Sequence, residues 1–172
     1  MTTSKPRRAL LDTSVLIDFP AAHVAKVTDE VAVSAVTIGE LQYGVTAAAD
    51  PLAQMFRRRR VQAILDRFEV LPFDVGAAEY YGTLAALVRK HGRNPRPRRL
   101  DLQIAATAAR HGLTLLTRNG RDFAGLQSAL DVVDLPNQPN QPNQPAEPAL
   151  IDMSASPLQA VNRSGIRLRY GC

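Results

Sequence analysis

Between Ala9 and Val133 the chain alternates between short apolar runs and stretches of helical period, and this alternation constrains its fold more than any other feature. Ala9-Leu10-Leu11, Val31-Ala32-Val33-Ser34-Ala35, Val70-Leu71, Leu113-Thr114-Leu115-Leu116 and Val132-Val133 are short, apolar and largely β-branched or leucine-rich, as buried strands are. Helical spacing separates them. Ile38, Leu41 and Val45 follow Thr37, and Pro51 to Phe68 starts with a proline where a first-turn amide is dispensable. Ala77 to Val88 puts Tyr80, Leu84, Leu87 and Val88 on one face, and the Ala-rich segment Leu100 to Arg110 stops at Gly112. Strands alternating with helices imply a parallel sheet covered on both faces, an α/β sandwich of three layers. In such sheets ligands gather beyond the carboxyl ends of the strands.

The pattern ends abruptly. From Pro136 to Pro145 the chain repeats Pro-Asn-Gln, and six of its twelve prolines lie from Pro136 onward. Dense proline removes amide donors and favours extended backbone, and Asn and Gln contribute nothing apolar to a core. The expected organisation is a folded domain over residues 1–135, a linker over 136–148 and a disordered tail over 149–172. Nearly all of the net charge of +5 belongs to the domain, which makes a polyanionic partner such as nucleic acid plausible. No apolar run approaches the roughly 20 residues of a membrane span. The polar, basic start of the chain does not resemble a signal peptide, and the single cysteine, Cys172, suits a reducing cytoplasm.

Four carboxylates occupy junctions where the sheet rule directs attention: Asp12 after the first strand, Glu40 after the second, Asp101 at the start of the helix leading to the fourth, and Asp122 shortly after the fourth. Each has an ordinary structural explanation. Asp12 suits a helix N-cap, Thr37-Ile38-Gly39-Glu40 has capping-box spacing, and Asp101 and Asp122 suit helix N-termini. Taken together, four carboxylates at one end of a sheet repel one another unless a cation relieves them. An oxygen-only set without Cys or His selects a hard ion, Mg²⁺ or Mn²⁺. Neither a dinucleotide fingerprint nor a P-loop is present, and a haloacid-dehalogenase-like phosphatase would need Asp where Ser14 stands. His23, His91 and His111 have no metal-ligand spacing and are expected at the surface or at helix ends.

Leu11-Asp12-Thr13-Ser14-Val15, Thr37-Ile38-Gly39-Glu40-Leu41, Asp101-Leu102-Gln103-Ile104-Ala105-Ala106 and Thr117-Arg118-Asn119-Gly120-Arg121-Asp122-Phe123 resemble, in order, the four signature motifs of PIN-domain ribonucleases. Within that family the similarity is to the VapC toxins of bacterial VapBC toxin–antitoxin pairs, and it spans residues 8–135. The resemblance implies a PIN-like sheet of order 3-2-1-4-5 and an endoribonuclease that hydrolyses phosphodiester bonds with Mg²⁺ or Mn²⁺. It assigns Asp12, Glu40, Asp101 and Asp122 to catalysis and the metal, with Thr117, Asn119 and Ser14 as pocket support. It also implies RNA as substrate, a cognate VapB-like antitoxin and a homodimer. Two features depart from the family pattern: the basic approach Arg93-Asn94-Pro95-Arg96-Pro97-Arg98-Arg99 to the third motif, and the Pro/Asn/Gln tail.

The basic residues divide into two groups. Arg57 to Arg60 are consecutive, so on a helix they fan around its circumference and read as a solvated face. Arg93, Arg96, Arg98 and Arg99 precede Asp101 and are better placed to neutralise RNA phosphates beside an acidic pocket. The competing reading is a non-catalytic RNA- or partner-binding module that keeps the same fold. Salt-sensitive RNA binding is common to both readings; metal-dependent strand scission separates them.

Overall fold

The computed structural model describes residues 6–136. The expected linker and tail fall outside the described residues from position 137 onward. Five parallel strands, β1 (Arg8–Leu11), β2 (Glu30–Ser34), β3 (Glu69–Leu71), β4 (Thr114–Thr117) and β5 (Val132–Asp134), form one sheet in the order 3-2-1-4-5. Helices α1 (Thr13–Ile17), α2 (Ala21–Val27), α3 (Ala35–Thr46), α4 (Pro51–Leu65), α5 (Val75–Lys90) and α6 (Arg99–Arg110) connect them, with 3-10 turns at Arg96–Arg98 and Gly120–Phe123. This is the three-layer α/β arrangement and strand order expected from the sequence.

The strands cover both faces because their residues alternate between two cores. Leu10, Ala32, Leu71 and Leu115 point into a core shared with Leu84 and Val88 of α5 and Leu102, Ile104 and Ala105 of α6. Ala9, Leu11, Val31, Val33 and Leu116 point the other way, onto Val15 and Leu16 of α1, Val24 of α2, Ile64 of α4 and Phe68 between α4 and β3. Phe19 and Phe68 meet edge-on in this second core, with ring centroids 5.9 Å apart. Neither face is left to solvent, which explains why the strands are runs of apolar residues rather than alternating ones.

Three of the six helices start on ordinary capping residues. Ser34 accepts from the Val36 amide at α3, Asp50 from Leu52 and Ala53 at α4, and Asp74 from Ala77 at α5. The capping box proposed for Thr37 and Glu40 is therefore not formed. β2 runs directly into α3, so the helix begins three residues earlier than the box requires, and among the described residues the buried Thr37 hydroxyl has no hydrogen-bond partner. α6 ends at Arg110 with His111 as its C-cap, and Gly112 follows at a φ of 62°, the left-handed conformation that favours glycine. The helix α2, not anticipated from the sequence, is short and buries only Val24.

At the amino ends of the strands, charges are paired. Arg8 bridges Glu30 and Glu69, both at 3.2 Å, so the first residues of β1, β2 and β3 are tied together. At the carboxyl ends, β1 and β4 lie side by side and lead toward opposite halves of the sheet, which creates the crevice where α/β folds bind ligands.

Candidate active site

All four motif carboxylates reach that crevice. Asp12 directly follows β1, and its amide extends the sheet by donating to the Leu116 carbonyl at 2.9 Å. Glu40 stands on α3, Asp101 in the first turn of α6, and Asp122 in the 3-10 turn after β4. None of the four accepts a helix N–H among the described residues. Asp12 occupies the N-cap position of α1 without a side-chain cap bond. Hydrogen-bonded capping therefore does not account for these carboxylates; Asp101 and Asp122 do lie in first turns, where a helix N-terminus favours negative charge.

Their proximity registers on Asp101. Burial, followed by the charges of Asp12, Glu40 and Asp122, pushes its pKa up to about 6, with Arg98 opposing the rise. Three of the four carboxylates have side-chain donors. Asp12 is 6% exposed, and its Oδ2 accepts from Ser14 Oγ at 2.6 Å and from Thr117 Oγ1 at 2.9 Å. Backbone amides orient both hydroxyls: Arg118 N–H donates to Ser14 Oγ at 3.1 Å, and Asn119 N–H to Thr117 Oγ1 at 3.0 Å. Each oxygen receives one hydrogen and passes its own to Asp12. Glu40 Oε2 accepts from Thr13 Oγ1 at 2.5 Å, and Asp122 is paired with Arg98. Asp101 has no hydrogen-bond donor of its own among the described residues.

Of the expected supports, Ser14 and Thr117 thus touch Asp12. Asn119 contributes its backbone amide; no side-chain hydrogen bond of Asn119 is formed among the described residues. Thr13, which sequence reasoning passed over, holds Glu40, and the signal for it was its place beside Asp12 in the first motif. Among the arginines, Arg93 donates to the Ala124, Arg121 and Asp122 carbonyls, Arg98 meets Asp122, and Arg96 and Arg99 are exposed. Arg57 donates to the Gly44 carbonyl while Arg58 and Arg59 are exposed. His23, His91 and His111 are exposed, the last two just past the ends of α5 and α6.

The fit of a divalent cation can be judged from the donors. Every candidate ligand atom is a hard oxygen, and the negative charges that, after burial, push Asp101 up are what a dication would offset. Among the described residues no three Asp, Glu, His or Cys side chains are gathered closely enough to enclose an ion by themselves. A small, strongly hydrated ion suits such an open arrangement, because Mg²⁺ characteristically binds through one or two carboxylates and keeps its waters.

The PIN domain family matches residues 9–127, which takes in all four carboxylates. The chain belongs to the PIN-domain family. Its relatives include ribonuclease VapC5 of Mycobacterium tuberculosis, 36% identical over 133 residues that cover 76% of this chain and 96% of that protein. Ribonuclease VapC4 of the same organism is 37% identical over 123 residues, covering 70% and 92%. Among solved structures, VapBC-5 of the VapBC toxin–antitoxin family from M. tuberculosis matches with a TM-score of 0.66 and 35% identity, covering 76% of this chain and 100% of that one. DNA-bound VapBC from Salmonella typhimurium matches with a TM-score of 0.62 and 27% identity, covering 74% and 98%. In this PIN domain the matched region ends before β5, and the Pro/Asn/Gln repeat lies wholly beyond it.

Proposed function

We propose that this PIN domain is a divalent-cation-dependent endoribonuclease, the toxin of a VapBC-type toxin–antitoxin pair, and that Asp12, Glu40, Asp101 and Asp122 form its catalytic and metal-holding set. The observation that carries this reading is the convergence of four carboxylates from four separate segments at the β1–β4 crevice, none of them used as a cap. An acidic group left under repulsion lowers the stability of the cation-free fold, and such groups mark functional sites more often than structural ones. A module that only bound RNA would gain nothing from them, since they repel phosphate. That favours catalysis over a purely binding role.

Asp12, fixed by two hydroxyls, is the rigid anchor. Glu40 and Asp122 flank it from α3 and the 3-10 turn, and Asp101, pushed up to about 6, is the carboxylate whose ionised form a nearby cation would favour most. A divalent ion held there, Mg²⁺ or Mn²⁺, neutralises phosphodiester charge and lowers the pKa of water. Arg96, Arg98 and Arg99 line the approach to α6 and supply cations for the RNA backbone; Arg93, bound to carbonyls, contributes to the shape of that approach. The relatives named as VapC ribonucleases and the VapBC complexes support this assignment, and they point to a VapB-like antitoxin as protein partner. The test is incubation of the full chain with a panel of RNA hairpins and single strands in Mg²⁺, with 5′-end mapping of products. Discrete scission that disappears in a folded Asp101→Asn variant is the expected result. Undiminished scission in that variant would remove Asp101 from the mechanism.

A further inference from the structure

The loop between α5 and α6 places two arginines on the turn that carries Asp122, and they grip different parts of it. Arg93 holds the backbone, with Nη1 donating to the Ala124 carbonyl at 3.0 Å and Nη2 to the carbonyls of Arg121 and Asp122 at 3.4 Å. Arg98 holds the carboxylate, through Nη1 on Oδ1. Among the described residues, Asp122 is the one pocket carboxylate with a cation in direct contact, and Arg98 also opposes the raised pKa of Asp101.

We propose that Arg98 is a built-in, displaceable counter-cation: it occupies Asp122 in the cation-free protein and must release it before a divalent ion can be held there. The inference rests on the reading of the pocket as a divalent-cation site. Three features support it. A guanidinium and a dication repel each other, so both cannot share one carboxylate closely without cost. The pair is about one-third exposed on each side, 32% for Arg98 and 35% for Asp122, so water can solvate the released guanidinium and a single ion pair of this kind is readily exchanged. Because Arg93 anchors the turn through carbonyls, Asp122 keeps its place when Arg98 leaves. The device lowers the affinity of the pocket for its ion and shields the carboxylates from mutual repulsion while they wait.

The test is calorimetric titration of the full chain with Mn²⁺ at pH 7.5, without RNA, comparing wild type, Arg98→Ala, Arg98→Gln, Asp122→Asn and the Arg98→Ala/Asp122→Asn double variant. Arg98→Gln preserves most of the side chain's length while removing its charge, and so serves where Arg98→Ala perturbs the fold. Both Arg98 variants are expected to bind Mn²⁺ about fivefold more tightly than wild type, the span of one partly exposed ion pair. The gain should vanish when Asp122 is already Asn. Equal or weaker binding in folded Arg98 variants would overturn the proposal and leave the pair a structural contact. An Asp101→Asn control separates the two levels of inference. If Mn²⁺ binds wild type and Asp101→Asn leaves that binding unchanged, the ion sits elsewhere, and the pocket reading falls together with this proposal. No binding by any variant also overturns both.

Discussion

Acidic residues stand at both ends of the sheet, and the two ends treat them in opposite ways. At the amino ends of the strands Glu30 and Glu69 share Arg8, and nearby Asp29 is paired with Arg7. At the carboxyl ends four carboxylates face one crevice with Arg98 as the cation in contact, and Asp101 is pushed up to about 6. The lower end is balanced within the chain. The upper end is unbalanced and held open by hydroxyl donors, which fix Asp12 and Glu40 without neutralising them. Charge at the first end serves the fold, and charge at the second is available to something outside it.

The largest separation between the ends is expected from Asp12→Asn, which removes the anchoring charge. RNA cleavage should fall by about a hundred- to a thousandfold while circular dichroism and thermal unfolding remain those of a folded domain. Next is Thr117→Val, which takes one of two donors from Asp12 Oδ2 inside the core. A supporting contact of this kind is worth about ten- to a hundredfold in activity, and its loss should also lower stability by about 1 kcal/mol in urea unfolding. At the opposite end, Arg8→Ala leaves Glu30 and Glu69 without their shared cation. Stability should fall by about 1 kcal/mol with cleavage per folded molecule unchanged, and a loss of activity there would erase the distinction between the two ends.

An effect on stability of similar size has the opposite sign. The folded-state pKa of Asp101 lies above its unfolded value, so its stabilising contribution is present at pH below about 4 and is lost as pH rises through about 6. Asp101→Asn should therefore stabilise the cation-free domain at pH 7 by about 1 kcal/mol after solvent screening, with the advantage gone near pH 4. Saturating Mg²⁺ should reverse the order, because the ion stabilises the form that binds it. Urea titrations at the two pH values, with and without Mg²⁺, read this directly.

Much of this organisation was legible in the sequence. The apolar runs identified all five strands, because strands buried on both faces are apolar through their middles and keep polar residues such as Arg8, Glu30, Glu69 and Thr117 at their ends. Asp12, Glu40, Asp101 and Asp122 were identifiable from their places after or before those runs. Local spacing failed where a neighbouring element decided the outcome. Thr37 and Glu40 have the right interval for a capping box, yet β2 passes into α3 without a loop, and Ser34 takes the cap. The hydroxyl pair on Asp12 depends on β1 and β4 being neighbours, which joins residues more than a hundred positions apart. Arg98 was legible as a basic residue near the pocket but not as the partner of Asp122, since that pairing needs the turn after β4 folded back against the α5–α6 loop. Helix α2 was missed because seven residues with one buried side chain make no periodic signal.

The central claim is that the four carboxylates at the β1–β4 crevice serve a divalent cation in the cutting of RNA. Its most direct test is cleavage of a single RNA hairpin by the full chain, first in chelator and then with Mg²⁺ restored, beside folded Asp12→Asn. The account expects no scission in chelator, recovery with Mg²⁺ in the wild type, and recovery at least about a hundredfold weaker in the variant. Scission at an undiminished rate in chelator would contradict it.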